Sequence, residues 1–191
     1  MMLRLLIILS LACLICTQEY RSLQDFDLTL VLNKGLYLNG VLSTIDLNLT
    51  LDNYMPYCAG YRFNGLQDDQ ILSQFILLTN YTSYSTVFRV ADDSTSHWNI
   101  QQAIPPLQWS SLGSFQDRQS WIWVYADLVA DIYGVIETGG GDGAVHALIL
   151  SGFWQTRLTR LTEVAQAIIK AGFNPAHNGY YFVNCGDYRF N

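Results

Sequence analysis

The sequence predicts a mainly β protein with its strands stacked as a β-sandwich. Three observations carry this. Apolar and polar residues alternate with period two over long stretches, turn dipeptides recur roughly every eight to twelve residues, and the chain is rich in Tyr, Thr and Ser but poor in charge. Charged residues make up 14% of the chain. That lies far below the roughly 25% usual in soluble proteins and suits an extracellular β domain whose exposed faces are polar without being ionic.

The elements follow in chain order. Residues 1–16 hold one positive charge, Arg4, and then the apolar run "LLIILSLACLIC" before the polar "TQEY". A basic start, about ten apolar residues and a polar boundary describe a secretory signal peptide, which leaves residues 17–191 as one domain with a sizeable core. The run is shorter than the about 20 residues a membrane span needs, and no later apolar run reaches that length. "DFDLTLVL", "GLYLNGVL" and "IDLNLTL" read as strands, with Asn39-Gly40 and Asn64-Gly65 as tight-turn dipeptides. "QFILLTNYTSYSTVFRV" predicts two strands around a turn near Asn80, "ADDSTSHWN" a loop, and Pro105-Pro106 a break. "SWIWVYADLVADIYGVIE" predicts a strand pair, followed by the hairpin connection "TGGGDG" and then "AVHALILSGFW". One stretch departs from the β pattern. Leu158, Leu161, Ala165 and Ile168 form a helical stripe, with Gly172 and Pro175 just beyond, so residues 157–171 read as a helix.

Cysteine usage agrees with secretion. Of four cysteines, Cys13 and Cys16 leave with the signal peptide, and Cys58 and Cys185 remain in an oxidising compartment. A bridge between them closes a long loop and is worth roughly 4–5 kcal/mol in the chain-entropy model. Two free thiols, or a link to another chain, are the alternatives. The sequons "NLT" at Asn48 and "NYT" at Asn80 place both asparagines on the surface as N-glycan acceptors.

The net charge of −6 argues against a nucleic-acid partner. His97, His146 and His177 are far apart in the chain and read as surface or loop histidines. "TGGGDG" lacks the lysine and the spacing of a phosphate loop. Asp127 and Asp131 are the one carboxylate pair to weigh for acid–base work, and in a strand both face solvent. No G-x-S-x-G is present, so the chain reads as non-enzymatic, with no cofactor and no metal. Trp98, Trp109, Trp121, Trp123 and Trp154 exceed what a core of this size buries completely. Exposed aromatic faces stack on sugar rings while amides and hydroxyls bond their hydroxyls, and an Arg suits an acidic sugar. "QWSSLGSFQDRQ", residues 108–119, offers Gln108, Trp109, Ser111 and Arg118 for that purpose. The alternative makes Trp109 and Phe115 core residues beside a plain loop.

Four blocks in order, "LDNYMPYCAG", "DDQILSQFILLTNYTSYSTVFRVADD", "WIWVYADLVADIYG" and "LTEVAQAIIKAGFNPAHNGYYFVN", resemble the most N-terminal domain, domain 0, of alphacoronavirus spike proteins. The likeness runs over residues 25–190 and extends to the class of small secreted accessory glycoproteins of type I canine coronaviruses. It implies a galectin-like β-sandwich, β-rich where residues 157–171 fall. It also implies binding of host sialoglycans or cell-surface glycoproteins through the segment before "WIWVYADLVADIYG", as an attachment domain or a soluble decoy. The family's additional cysteines around that segment are missing here, which puts the sugar site in doubt. The resemblance places the product outside the cell, or on a virion if the chain is a spike fragment. The second expectation is a secreted interaction protein that has lost sugar binding and engages a host or viral protein.

Overall fold

Asp27 caps a 3-10 turn, Leu28–Leu30: its Oδ1 accepts hydrogen bonds from Thr29 N at 2.9 Å and Thr29 Oγ1 at 2.7 Å. The computed structural model describes residues 20–24, 26–46, 58–65, 69–78, 82–92, 94–104, 108–109, 113–114, 120–138, 144–183, 185 and 190. After the turn come β1 (Gly35–Ser43), β2 (Ala59–Gly65), β3 (Gln70–Leu77), β4 (Thr82–Ala91) and β5 (Ser94–Ile104). A separate two-stranded ribbon follows, β6 (Gln108–Trp109) with β7 (Gly113–Ser114). The main sheet resumes with β8 (Ser120–Asp127), β9 (Ile132–Thr138) and β10 (His146–Ser151), then helix α1 (Leu158–Lys170) and β11 (Tyr180–Phe182).

The expected sandwich, galectin-like in the resemblance, is not what forms. Each main-sheet strand pairs antiparallel with its neighbour, and β10 returns to pair with β1 from Tyr37↔Ser151 to Ser43↔His146. That last pairing closes β1–β5 and β8–β10 into an up-and-down barrel. Two packed sheets would need a break in this order, and there is none. Bulges between Leu38 and Gly40, Val87 and Phe88, Val90 and Ala91, and Trp123 and Tyr125 supply the local bends that closure requires. Asn39-Gly40, which reads as a turn, is therefore the bulge in β1. Asn39 Nδ2 holds it by donating to the carbonyls of Tyr37 and Phe153. "ADDSTSHWN" is likewise mostly strand, because β5 already starts at Ser94.

Alternation along the strands sorts side chains into two cores. On β9, Tyr133 and Val135 point into the barrel, while Ile132 and Ile136 point outward under α1. The helix lays Leu161, Val164, Ala165 and Ile168 on this outer face. Gly134 lets it approach, because a Cβ there would meet Ile168 Cγ1 at 3.0 Å. Gly172, at φ 107°, ends the helix in a conformation that suits glycine. The β-rich reading of residues 157–171 is thus overturned, because a stripe of period 3.6 covers an apolar wall that a period-two segment leaves half uncovered.

The two ends of the barrel differ. At one end the connections are short and the 3-10 turn packs beneath the strands. Lys34 Nζ there bonds the Asp131 carboxylate, and Tyr133 OH donates to Asp131 Oδ1 at 2.7 Å. Asp127 Oδ1 caps the β8–β9 turn by accepting from Val129 N and Ala130 N, both at 3.0 Å. Asp127 and Asp131 are therefore turn residues with structural partners. At the opposite end the connections 44–58, 105–119 and 139–145 depart. The chain after α1 runs back along the outside, where β11 pairs with β1 over Gly40–Leu42 on the edge that β2 has left.

Candidate functional site at the long-loop end of the barrel

The interior is aromatic. Trp98, Trp121 and Trp123 are fully buried, together with Phe63 and Phe88. Phe26 stacks on Trp123 at 4.6 Å, Trp98 lies 4.9 Å from Trp123, and Tyr61 meets Trp121 edge-on at 5.1 Å. These three tryptophans are not the surplus exposed rings the sequence suggested. An eight-stranded barrel is just wide enough for large side chains to fill, so it absorbs rings that a flatter core leaves out.

Buried Ser73 and Ser96 share the inward phase of β3 and β5, and a row with ionisable side chains lies at the long-loop end. Ser43, His146 and Glu137 occupy facing positions on β1, β10 and β9, and Glu137 in turn faces Trp121 on β8. All four share the inward face, since each alternates with residues that point outward. Their exposures are 0% for Ser43, 2% for His146 and 3% for Glu137. Trp121 Nε1 donates to Glu137 Oε1 at 2.7 Å. Directly opposed residues of an antiparallel pair bring their Cβ atoms within about 5 Å, so the imidazole and the carboxylate are neighbours across the β9–β10 ladder. A carboxylate removed from water in this way is costly unless hydrogen bonds and positive charge offset the loss. Deeper in, the buried Trp123 Nε1 has no hydrogen-bond partner among the described residues.

No protein-family model and no curated protein matches the sequence. Solved structures do match in shape. Lipocalin 12 from rat epididymis aligns with a TM-score of 0.67 at 9% identity, over 91% of this chain and 94% of that one. The fold is lipocalin-like. A biogenic amine-binding protein follows with a TM-score of 0.56 at 12% identity, over 87% of this chain and 86% of that one. The tryptamine complex of the amine-binding protein of Rhodnius prolixus aligns at 0.55 and 12% identity, over 85% and 83%. At these identities the likeness shows the fold alone. It overturns the β-sandwich on a second, independent ground.

The lipocalin-like barrel separates the residues the sequence singled out. The backbones of Gln108 and Trp109 form β6, with Gln108 opposite Ser114 and Trp109 opposite Gly113. Ser111 and Arg118 lie outside the described residues, as do the sequon residues Asn48 and Asn80. Cys58 and Cys185 are joined by a disulfide with their Cα atoms 4.6 Å apart, which ties the start of β2 to the chain beyond β11. Of the histidines, His177 is exposed and His97 half-buried on the outward face of β5. His146 is buried inside the barrel, which corrects its reading as a surface or loop residue.

Glu137 and His146 were missed as a site, yet the sequence held a signal. "YGVIE" and "HALIL" each place one ionisable residue in phase with positions that turn out to be interior. A charged residue on the apolar phase of a strand stands out because such residues are almost never fully buried unless paired.

Proposed function

We propose that this chain is a non-catalytic binding protein for a small organic cation, a protonated amine on an aromatic frame, received at the Glu137 end of the barrel. The observation that carries the reading is the buried Glu137 carboxylate, set against the Trp121 indole inside a wall of aromatic rings. A carboxylate on the inner wall attracts an ammonium group, and indole faces attract cations as well as flat apolar frames. Ser43 adds a hydroxyl and His146 a ring nitrogen to the same face. Two structural neighbours are named as amine-binding proteins, one of them in complex with tryptamine, which supports this ligand class. The leader-like residues 1–16 and the Cys58–Cys185 bridge support a secreted carrier or scavenger, because disulfides persist in oxidising compartments.

Titration calorimetry with tryptamine tests this, with tryptophol as the uncharged isostere. Tryptamine should bind and tryptophol should bind at least tenfold more weakly. Glu137→Gln retains an acceptor for Trp121 Nε1, so it should fold and lose at least tenfold in tryptamine affinity. Equal affinity for both ligands, or an unaffected Glu137→Gln variant, would refute the reading.

A further inference from the structure

Resting on that reading, we infer that the ligand's ring carries a hydrogen-bond acceptor at the end remote from its ammonium group, a phenolic or ether oxygen received by Trp123 Nε1. Of the three fully buried indoles, two have their N–H groups engaged. Trp121 Nε1 donates to Glu137, and Trp98 Nε1 donates to the Thr95 carbonyl at 3.0 Å. Trp123 Nε1 is buried without a hydrogen-bond partner among the described residues. A buried donor left unpaired carries the full cost of its desolvation, so such groups are nearly always satisfied by protein, water or ligand.

The surroundings of Trp123 are rings. Phe26 stacks on it at 4.6 Å, Trp98 tilts against it at 4.9 Å and Tyr133 meets it edge-on at 6.0 Å. These neighbours offer faces and C–H edges, and the one hydroxyl among them is committed elsewhere. Tyr133 OH donates to Asp131 Oδ1 at 2.7 Å and accepts from Lys34 Nζ at 3.1 Å. An oxygen brought in by a ligand would complete the Trp123 N–H inside a cage that otherwise suits a flat apolar frame.

The position also suits the length of an arylethylamine. Trp121 faces Glu137 across the β8–β9 ladder, and Trp123 faces Val135 one step deeper on the same inward phase. Two strand residues span roughly 7 Å. An aminoethyl chain on a six-membered ring covers that span between its nitrogen and a para oxygen. The carboxylate then selects the charge, the ring faces select the flat frame, and the Trp123 N–H selects the oxygen. A site that holds a buried donor for a ligand oxygen discriminates against the analogue lacking one, because the donor is left unpaired there.

The test compares tyramine with 4-methylphenethylamine, which carries a methyl group in place of the hydroxyl. Affinities are measured by calorimetry for the wild-type protein and for Trp123→Phe, with folding checked by circular dichroism. The wild type should bind tyramine about tenfold more tightly or better, and Trp123→Phe should bind the two amines about equally. Wild-type tyramine binding no tighter than that of the methyl analogue overturns the inference, gives the indole donor to a trapped water and leaves the amine reading intact. A tyramine preference that survives in Trp123→Phe overturns it too, by assigning the oxygen to another group. No binding of these amines or of tryptamine overturns both readings. If Trp123→Phe does not fold, the indole N–H resonances of the wild-type protein decide. Tyramine should move one of them downfield of its position with 4-methylphenethylamine, and identical indole spectra would refute the contact.

Discussion

The contact between Gly134 and Ile168 makes a sharp prediction about how the helix is seated. Ile168 is fully buried between α1 and the outer face of the barrel, where its Cγ1 lies 3.0 Å and its Cδ1 3.2 Å from the place a Gly134 Cβ would occupy. Ile168→Ala removes three carbons, about 2.4 kcal/mol at about 0.8 kcal/mol per buried carbon, plus a cavity contribution. A loss of about 3–4 kcal/mol follows. Gly134→Ala alone forces a methyl group into the isoleucine and should cost about 1–3 kcal/mol. The double variant places the new methyl in the space the isoleucine vacated. It should therefore be about 1–2 kcal/mol more stable than the sum of the single losses. Rescue stays partial, because Tyr125 Cβ also lies 3.2 Å from that position. Urea denaturation with the disulfide intact measures each variant, provided the slope of the transition is unchanged. Additive losses would refute the seating of α1 across β9.

Three further outcomes follow. Replacing Cys58 and Cys185 together with alanine opens a loop of sequence separation 127 and should lower stability by roughly 4–5 kcal/mol, read as a lower urea midpoint. Burial and its hydrogen bond to Asp131 hold the Tyr133 hydroxyl well above the usual tyrosine range, so it stays protonated where the unfolded chain ionises. That contribution is complete below about pH 10 and is lost as pH rises further, so Tyr133→Phe should flatten the alkaline fall in melting temperature. An equally steep fall in the variant would point to Tyr20 or Tyr125, which burial also raises. Phe190 covers Gly35 and Gly60 and meets Tyr37 at 4.7 Å, so Phe190→Ala should cost about 2–3 kcal/mol, checked by the same denaturation. No change there would detach the C-terminal segment from the β1–β2 face.

Much of the local structure was legible because it depends on near neighbours in the chain. Runs of strand-forming residues between turn signals marked β3, β4, β8 and β9, and the stripe of Leu161, Ala165 and Ile168 marked α1, whereas "DFDLTLVL", read as a strand from its period-two alternation, holds the 3-10 turn Leu28–Leu30. Counting cysteines reduced the possible bridges in residues 17–191 to one intramolecular pair. Low charge with many Tyr, Thr and Ser announced a β protein, but not that its core would take three tryptophans.

Closure was decided only in three dimensions. Whether a meander becomes a sandwich or a barrel depends on the accumulated twist and on four bulges, and the pairing that settles it joins β1 to β10 across more than a hundred residues. The tryptophans changed role for the same reason, since barrel curvature turns Trp98, Trp121 and Trp123 to one enclosed volume. The candidate site shows the limit most plainly. Glu137 and His146 are each ordinary in the sequence, and only the β9–β10 register sets the carboxylate opposite the imidazole. A one-residue slip would send both to the outer wall, because strand side chains alternate faces and tertiary pairing alone chooses between them.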